Sequence, residues 1–73
     1  RVEYDKITLN ELAIRLSRKY DVRIHLDDNL EKEVAFRVSL RNEETVGDVF
    51  QALSEIIPIR YERRGRDIYI KKQ

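Results

Sequence analysis

The stretch "TVGDVFQALSEIIPIRY", Thr45 to Tyr61, decides the fold because it repeats the pattern of an earlier stretch. The earlier stretch is "TLNELAIRLSRKYDVRI", Thr8 to Ile24, thirty-seven residues upstream. Aligned at this offset, both begin with Thr and carry apolar residues at helical spacing. The further identities pair Leu16 with Leu53, Ser17 with Ser54 and Arg23 with Arg60. The chain is therefore predicted to contain two related halves.

The first half has the pattern of a capped amphipathic helix followed by a strand. Thr8, with Glu11 three residues later, predicts a capping box at the start of the helix. One helical face carries the apolar residues Leu9, Leu12, Ala13, Leu16 and Tyr20. After Asp21 the apolar and polar residues alternate as far as Leu26, which predicts a strand with one buried face.

The second half follows the same order. Thr45 with Asp48 predicts another capping box, and Pro58 is predicted to end the helix. The apolar stripe of this helix is predicted to comprise Val46, Val49, Phe50, Leu53, Ile56 and Ile57. A strand precedes each helix, and the second of these, Val34 to Leu40, is predicted to be the longest strand of the chain.

The C-terminal residues predict a β-hairpin. Ile59 to Arg63 and Asp67 to Lys71 flank Gly65, which can adopt the positive φ that a tight reversal needs. Alternation along the two strands predicts an inward and an outward set of side chains. The inward set is Ile59, Tyr61, Ile68 and Ile70, and the outward set is Arg60, Glu62, Tyr69 and Lys71.

A single strand, helix and strand of about thirty residues cannot hide its apolar stripe from water, but two copies can cover each other. We therefore predict an α+β fold with a tandem strand-helix-strand pseudo-repeat in the order β-α-β-β-α-β-β. Two helices are sandwiched between two small β-sheets. Residues 1–73 form one domain, with half-units of roughly 1–26 and 34–63 and a closing hairpin strand at 67–72.

The composition indicates a folded chain with a strongly ionised surface. Apolar residues make up 41% and charged residues 40%, with only two Gly and one Pro. The absence of Cys excludes disulfides and thiolate metal sites. No run of about twenty apolar residues is present, so the chain is not expected to span a membrane.

Candidates for chemistry are weak, and we predict no catalytic, cofactor or metal site. His25, the only histidine, is expected to be an exposed, solvated imidazole without the partners of a triad. Asp27, Asn29 and Glu31 imitate the start of a calcium loop, but its sixth position is Lys32 and its twelfth is Val38. Ser17 and Ser54 are interpreted as ordinary helix-surface residues. The chain is therefore not expected to be an enzyme.

The basic C-terminal segment is the better candidate for binding. Ile59 to Gln73 carries six bases against two acids, although the whole chain has a net charge of only +1. Bases around Tyr69 could bind phosphate while the ring stacks on a nucleobase, so a small nucleic-acid-binding module is one alternative. No GxxG loop or aromatic strand signature supports it, and a solvated hairpin edge explains the same residues.

Four phrases, in their order and spacing, resemble the C-terminal domain of FecR-like anti-sigma factors across essentially the whole chain. They are "VEYD" before "TLNEL", "RKYDVRI", "FRVSLRNEETVGDVFQAL" and "IPIRYERRGRDIYI". The resemblance implies two helices between two small sheets, akin to the short N-terminal domain of secretins and TonB-dependent transducers. A domain of that kind in a transducer or secretin is the other alternative.

The resemblance also implies a function. FecR-like proteins are single-pass inner-membrane regulators whose N-terminal part holds an extracytoplasmic-function sigma factor. Their periplasmic C-terminal region senses the signalling domain of a TonB-dependent outer-membrane transporter. The chain is thus expected to be the periplasmic sensing domain, with the sigma factor bound by an N-terminal part that it lacks.

A small sandwich must expose strand edges, which partners can use for β-augmentation. We predict that the partner contacts the C-terminal hairpin through the outward side chains Arg60, Tyr69 and Lys71 and through the strand backbone. Such a basic strip would suit an acidic partner. The competing surface is the charged face of the first helix, which carries Arg15, Arg18 and Lys19.

Overall fold

The computed structural model describes residues 2–41 and 45–73, and its elements follow the predicted order. They are β1 (Val2–Thr8), α1 (Leu9–Tyr20), β2 (Arg23–Leu26), β3 (Ala35–Leu40), α2 (Val46–Ser54), β4 (Ile59–Arg64) and β5 (Asp67–Lys72). The predicted domain also includes Arg1 and residues 42–44, which lie outside the described residues.

Both helices begin at the predicted capping boxes. The Thr8 hydroxyl accepts a 3.1 Å hydrogen bond from the Glu11 N–H, and the Glu11 carboxylate accepts one of 3.2 Å from the Thr8 N–H. Thr45 and Asp48 repeat this arrangement at 3.1 and 3.3 Å. These bonds satisfy N–H groups that have no partner within the helix.

Helix α2 is shorter than predicted. It ends at Ser54, so Ile56 and Ile57 follow the helix rather than extending its stripe, and Ile56 is 53% exposed. Pro58 explains the early end, because its ring would clash with the Ser54 carbonyl of a continuing helix and it disfavours helical backbone at Ile57. The chain instead leaves the helix through a tight turn, in which the Ile56 N–H donates to the Leu53 carbonyl at 2.9 Å.

Strand β1, not β3, is the longest described strand, with seven residues against six. Its pairing with β3 shifts between Tyr4, opposite Val38, and Ile7, opposite Phe36. This bulge places one extra residue in β1 and breaks its period-two alternation. Alternation is therefore interrupted within the strand, and the bulge turns Ile7 into the core, where it is buried.

The strands form two separate sheets. Strands β1 and β3 pair antiparallel in a two-stranded sheet. The three-stranded sheet has the order β2-β5-β4, with β2 parallel and β4 antiparallel to β5. The predicted hairpin joins β4 to β5, and Gly65 adopts a φ of 60° in its turn.

A single hydrophobic cluster joins both helices and both sheets. Leu12 and Leu16 of α1 share it with Val49, Phe50 and Leu53 of α2. The two-stranded sheet adds Ile7, Val38 and Leu40, and the three-stranded sheet adds Ile59, Ile68 and Ile70. The predicted α+β sandwich, with the helices between two small sheets, is thus confirmed.

We expect Leu53→Ala and Ile56→Ala to differ sharply in stability. Leu53 has no exposed surface, so its truncation leaves a cavity and should lower the free energy of unfolding by about 2–5 kcal/mol. Ile56 lies outside the core, and Ile56→Ala should change that free energy by less than about 0.5 kcal/mol. Urea denaturation followed by circular dichroism measures both values. Equal losses of unfolding free energy would show that Ile56 belongs to the buried apolar stripe of α2.

Candidate protein-interaction face

The outer face of the three-stranded sheet carries the predicted contact residues. The buried side chains of β4 and β5 are Ile59, Ile68 and Ile70. The side chains of Arg60, Tyr69 and Lys71, which alternate with them along the strands, point away from the helices. Arg60 pairs in register with Lys71, and Glu62 pairs with Tyr69. The predicted inward and outward sets are therefore confirmed, and Arg60, Tyr69 and Lys71 lie on one surface, which we call the outer face.

The two predicted cations on the outer face differ in their partners. Lys71 Nζ lies 3.8 Å from Glu62 Oε2, a loose ion pair across the hairpin. Arg60 is exposed and has no ion-pair partner among the residues of the described ranges. Opposed like charges on neighbouring strands are unfavourable, so an anion beside Arg60 and Lys71 would relieve their repulsion.

A second group of polar residues, which the sequence did not reveal as a group, lies at the other end of β5 from these cations. The Arg23 guanidinium of β2 donates two hydrogen bonds to the Asp67 carboxylate of β5, from Nε at 2.8 Å and Nη2 at 2.9 Å. Parallel pairing places Arg23 opposite Asp67, forty-four residues along the chain. Their two-bonded fork has the geometry of a strong, directional ion pair.

His25 is exposed, as predicted, but it is not simply solvated. Its ring stacks on Tyr69, with ring centroids 4.7 Å apart and planes inclined by 16°. His25 Nε2 lies 2.9 Å from Asp67 Oδ1, and it must be the donor because an ionised carboxylate only accepts. One face of the Tyr69 ring is consequently covered by His25, which orders the aromatic side chain that we predicted for contact.

The described ranges 2–41 and 45–73 contain neither a cluster of metal-binding side chains nor a helix that could span a membrane. His, Asp and Glu side chains nowhere gather in groups of three that could hold a metal ion, and this includes the segment that imitates a calcium loop. Neither α1 nor α2 has the length and apolar content needed to cross a bilayer.

Arg23 and His25 determine the acidity of Asp67. The hydrogen bond from Arg23, followed by that from His25, holds the pKa of the Asp67 carboxyl well below its ordinary value. The hydrogen bond to Asp67 and the attraction to its charge in turn raise the pKa of Arg23. Because the folded pKa of Asp67 is lowered, its stabilising contribution is present above the unfolded pKa, about 3.9, and declines as the pH falls below that value.

The stability difference between the native chain and Asp67→Asn should therefore depend on pH. The variant cannot form the charged fork, so it should unfold at lower urea concentration at pH 7. The difference should shrink between about pH 5 and pH 3, as the unfolded native chain takes up its proton at Asp67. Urea midpoints at a series of pH values measure this. A difference that stays constant, or grows, towards pH 3 would contradict the assignment.

Comparisons with known proteins agree with this architecture. A family model described as "FecR, C-terminal" matches residues 1–70. A solved structure of a proposed anti-sigma factor from Parabacteroides distasonis matches with a TM-score of 0.85 and 21% identity, covering 99% of this chain and 34% of that chain. At this identity the likeness shows the fold, and the present chain spans only about a third of that protein. No curated protein matches. With the family model covering residues 1–70 of 73, the chain belongs to the FecR C-terminal family.

Proposed function

We propose that this chain is the periplasmic, non-catalytic protein-interaction domain of a FecR-like anti-sigma factor. It senses the signalling domain of a TonB-dependent outer-membrane transporter. The signal passes to an extracytoplasmic-function sigma factor, which binds an N-terminal part beyond this chain. The observation that carries the proposal is the family assignment over residues 1–70. Residues 1–73 act in this role as one domain.

The proposed contact lies on the outer face, at the β4 side. Arg60 has no ion-pair partner within the part of the chain that the structure describes, Lys71 is only loosely paired, and the Tyr69 ring is stacked on His25. Arg and Tyr are enriched at the centres of protein interfaces, because each offers a large contact area together with hydrogen-bond donors. An acidic patch on the partner would satisfy the two cations, and salt should weaken binding.

The strand backbone adds a second element of recognition. Strand β4 ends the three-stranded sheet, so one side of its backbone has no neighbouring strand in the described sheet. An edge of this kind can accept a strand from a partner. Backbone pairing would supply binding energy, and the cations of the outer face would select an acidic partner.

Titration of the ¹⁵N-labelled domain with transporter signalling domains tests the proposal. We expect shift changes at Arg60, Tyr69, Lys71 and their neighbours on β4 and β5. No change at about millimolar partner, which corresponds to a binding free energy weaker than roughly −4 kcal/mol, would contradict the proposed function. Changes confined to α1 would keep the partner but move the contact to the competing helix surface.

Reversing the charge at Arg60 and Lys71 should weaken binding of the signalling domain. The double variant Arg60→Glu with Lys71→Glu replaces attraction by repulsion, and we expect at least about a tenfold rise in Kd at low salt. The difference should narrow as salt is added. Isothermal titration calorimetry measures both effects.

The double variant Arg15→Glu with Lys19→Glu is the matched control. It makes the same change in net charge on the exposed face of α1. It should leave Kd within about twofold of the native value if contact is local, since distant exposed charges are screened. Equal weakening by both variants would indicate a general charge effect and contradict the contact at the outer face.

A further inference from the structure

An apolar pocket of about 240 Å³ lies at the end of the sandwich where β3 and β4 begin and β5 ends. Its most buried lining residues are Leu9, at the start of α1, and Ile59, at the start of β4, each 2% exposed. Leu30, Phe36 and Ile57 also line it, and these partly buried side chains pack against the core. The pocket therefore adjoins the hydrophobic core between the ends of the two sheets.

Part of the apolar lining is in contact with water. Val34 lines the pocket and is 57% exposed, and Pro58 lines it and is also exposed. Covering apolar surface of this kind with another apolar group is favourable. An apolar side chain that enters the pocket would gain contact with the buried residues and would also cover the exposed ones.

Backbone hydrogen bonds hold the segments that form the pocket. On one side, the Asn10 N–H donates to the Lys32 carbonyl at 3.2 Å and ties the loop after β2 to α1. On the other side, the Gln73 N–H donates to the Pro58 carbonyl at 3.0 Å and ties the start of β4 to the end of the chain. Because the pocket is already formed, a group that enters it has little ordering to impose on the domain.

The volume of the pocket fits one aromatic side chain. Pockets for small molecules usually measure about 300–1,000 Å³, whereas a cavity of about 150 Å³ accommodates benzene. At about 240 Å³ the present pocket lies between these sizes. The ring of a Phe or Trp residue would therefore fill it, and a typical small-molecule ligand would not fit.

The loop beside the pocket favours positive charge in the entering segment. Its residues 27–33 include one base, Lys32, and four acids, Asp27, Asp28, Glu31 and Glu33. Lys32 Nζ lies 3.8 Å from Asp28 Oδ1, and Glu33 accepts a hydrogen bond from the neutral Asn10 amide at 3.0 Å. Asp27 and Glu31 have no ion-pair partner within ranges 2–41 and 45–73. Glu31 is itself a lining residue, so negative charge reaches the pocket.

We propose that this pocket binds a Phe or Trp side chain of a partner polypeptide in which Lys or Arg residues flank the aromatic residue. The ring lies among the apolar lining residues, and the flanking cations lie beside Asp27 and Glu31. Lys72, at the end of β5, also lines the pocket and repels cations on its side. The flanking cations therefore face the loop rather than β5.

A second copy of this chain does not have the chemistry of this occupant. The chain contains no Trp, and every aromatic side chain in the described ranges is at least partly buried. The large apolar side chains that are exposed in these ranges are Ile14, Val34 and Ile56, and all three are aliphatic. An aliphatic side chain would leave part of the pocket empty and forfeit contacts with its lining.

This proposal goes beyond the function proposed above and does not depend on it. Arg60, Tyr69 and Lys71 are not among the residues that line the pocket. The outer face suits an acidic partner, whereas the pocket and its loop suit a basic one. Either contact can therefore fail in an experiment while the other is observed.

A blocked pentapeptide with the sequence Lys-Ser-Phe-Ser-Lys is the probe. In a titration of the ¹⁵N-labelled domain, we expect it to shift the amide resonances of Leu30, Val34, Phe36 and Ile57 and to leave Arg60 unchanged. Replacing Phe by Ala in the peptide should raise Kd at least about tenfold, because the ring supplies the apolar contact. Replacing both Lys by Glu should raise Kd at low salt, and added salt should reduce this difference.

Val34→Lys and Ile56→Lys form a matched pair. The two side chains are 57% and 53% exposed, and of the two only Val34 lines the pocket. Val34→Lys should raise Kd for the Phe peptide at least about tenfold, and Ile56→Lys should leave it within about twofold. Circular dichroism checks that both variants are folded.

Glu31→Lys tests the charge of the loop separately from the apolar lining. It should raise Kd for the Phe peptide at low salt, because it replaces attraction by repulsion. Glu3→Lys makes the same change in net charge on exposed β1, where Glu3 pairs with Ser39, and should leave Kd nearly unchanged.

Three results would overturn the proposal. The first is the absence of shift changes at Leu30, Val34, Phe36 and Ile57 at several millimolar peptide. The second is a Kd that neither Phe→Ala in the peptide nor Val34→Lys in the domain alters. The third is a dimer of the free domain in sedimentation that Val34→Lys dissociates, which would make a second copy the occupant.

Discussion

Strand β5 holds the two halves of the domain in one structure. The pairing of β1 with β3 joins the two halves directly. Strands β2 and β4 are not paired with each other, and β5 lies between them and pairs with both. Ile68 and Ile70 of β5 are each 1% exposed and complete the shared core. The same strand alternates to place Asp67, Tyr69 and Lys71 on the outer face. The stability of the sandwich and the arrangement of the candidate contact residues thus depend on one strand.

The repeat explains why the domain retains open edges. Equivalent strands of the two halves run antiparallel in each sheet. Strand β1 pairs antiparallel with β3, and β2 and β4 run in opposite directions on the two sides of β5. Strand β5 has no counterpart in the repeat, and the sheet that contains it ends in β2 and β4. A chain of 73 residues has too little material to cover both ends. Open strand edges are therefore a consequence of building a domain from two small halves.

Features encoded locally were predictable from the sequence, and features encoded by pairing were not. The capping boxes at Thr8 and Thr45 and the turn at Gly65 depend on residues within a few positions of one another. The fork between Arg23 and Asp67 depends on the parallel register of β2 and β5, which no local pattern specifies. The β1 bulge hid the length of its strand by breaking alternation, and the effect of Pro58 reached back to Ser54. Arg60, Tyr69 and Lys71 could be placed on one face because a hairpin fixes its own register.

The two edges of the three-stranded sheet differ in length and in charge. Strand β4 and its turn carry Arg60, Arg63, Arg64 and Arg66, and clustered charges of one sign discourage edge-to-edge aggregation. An acidic partner strand would offset this positive charge, as the proposed contact on the outer face requires. Strand β2 is only four residues long, and its Ile24 and Leu26 are partly buried. Its short length limits unspecific pairing with other strands. The three-stranded sheet therefore protects its two edges by different means, clustered positive charge at β4 and short length at β2.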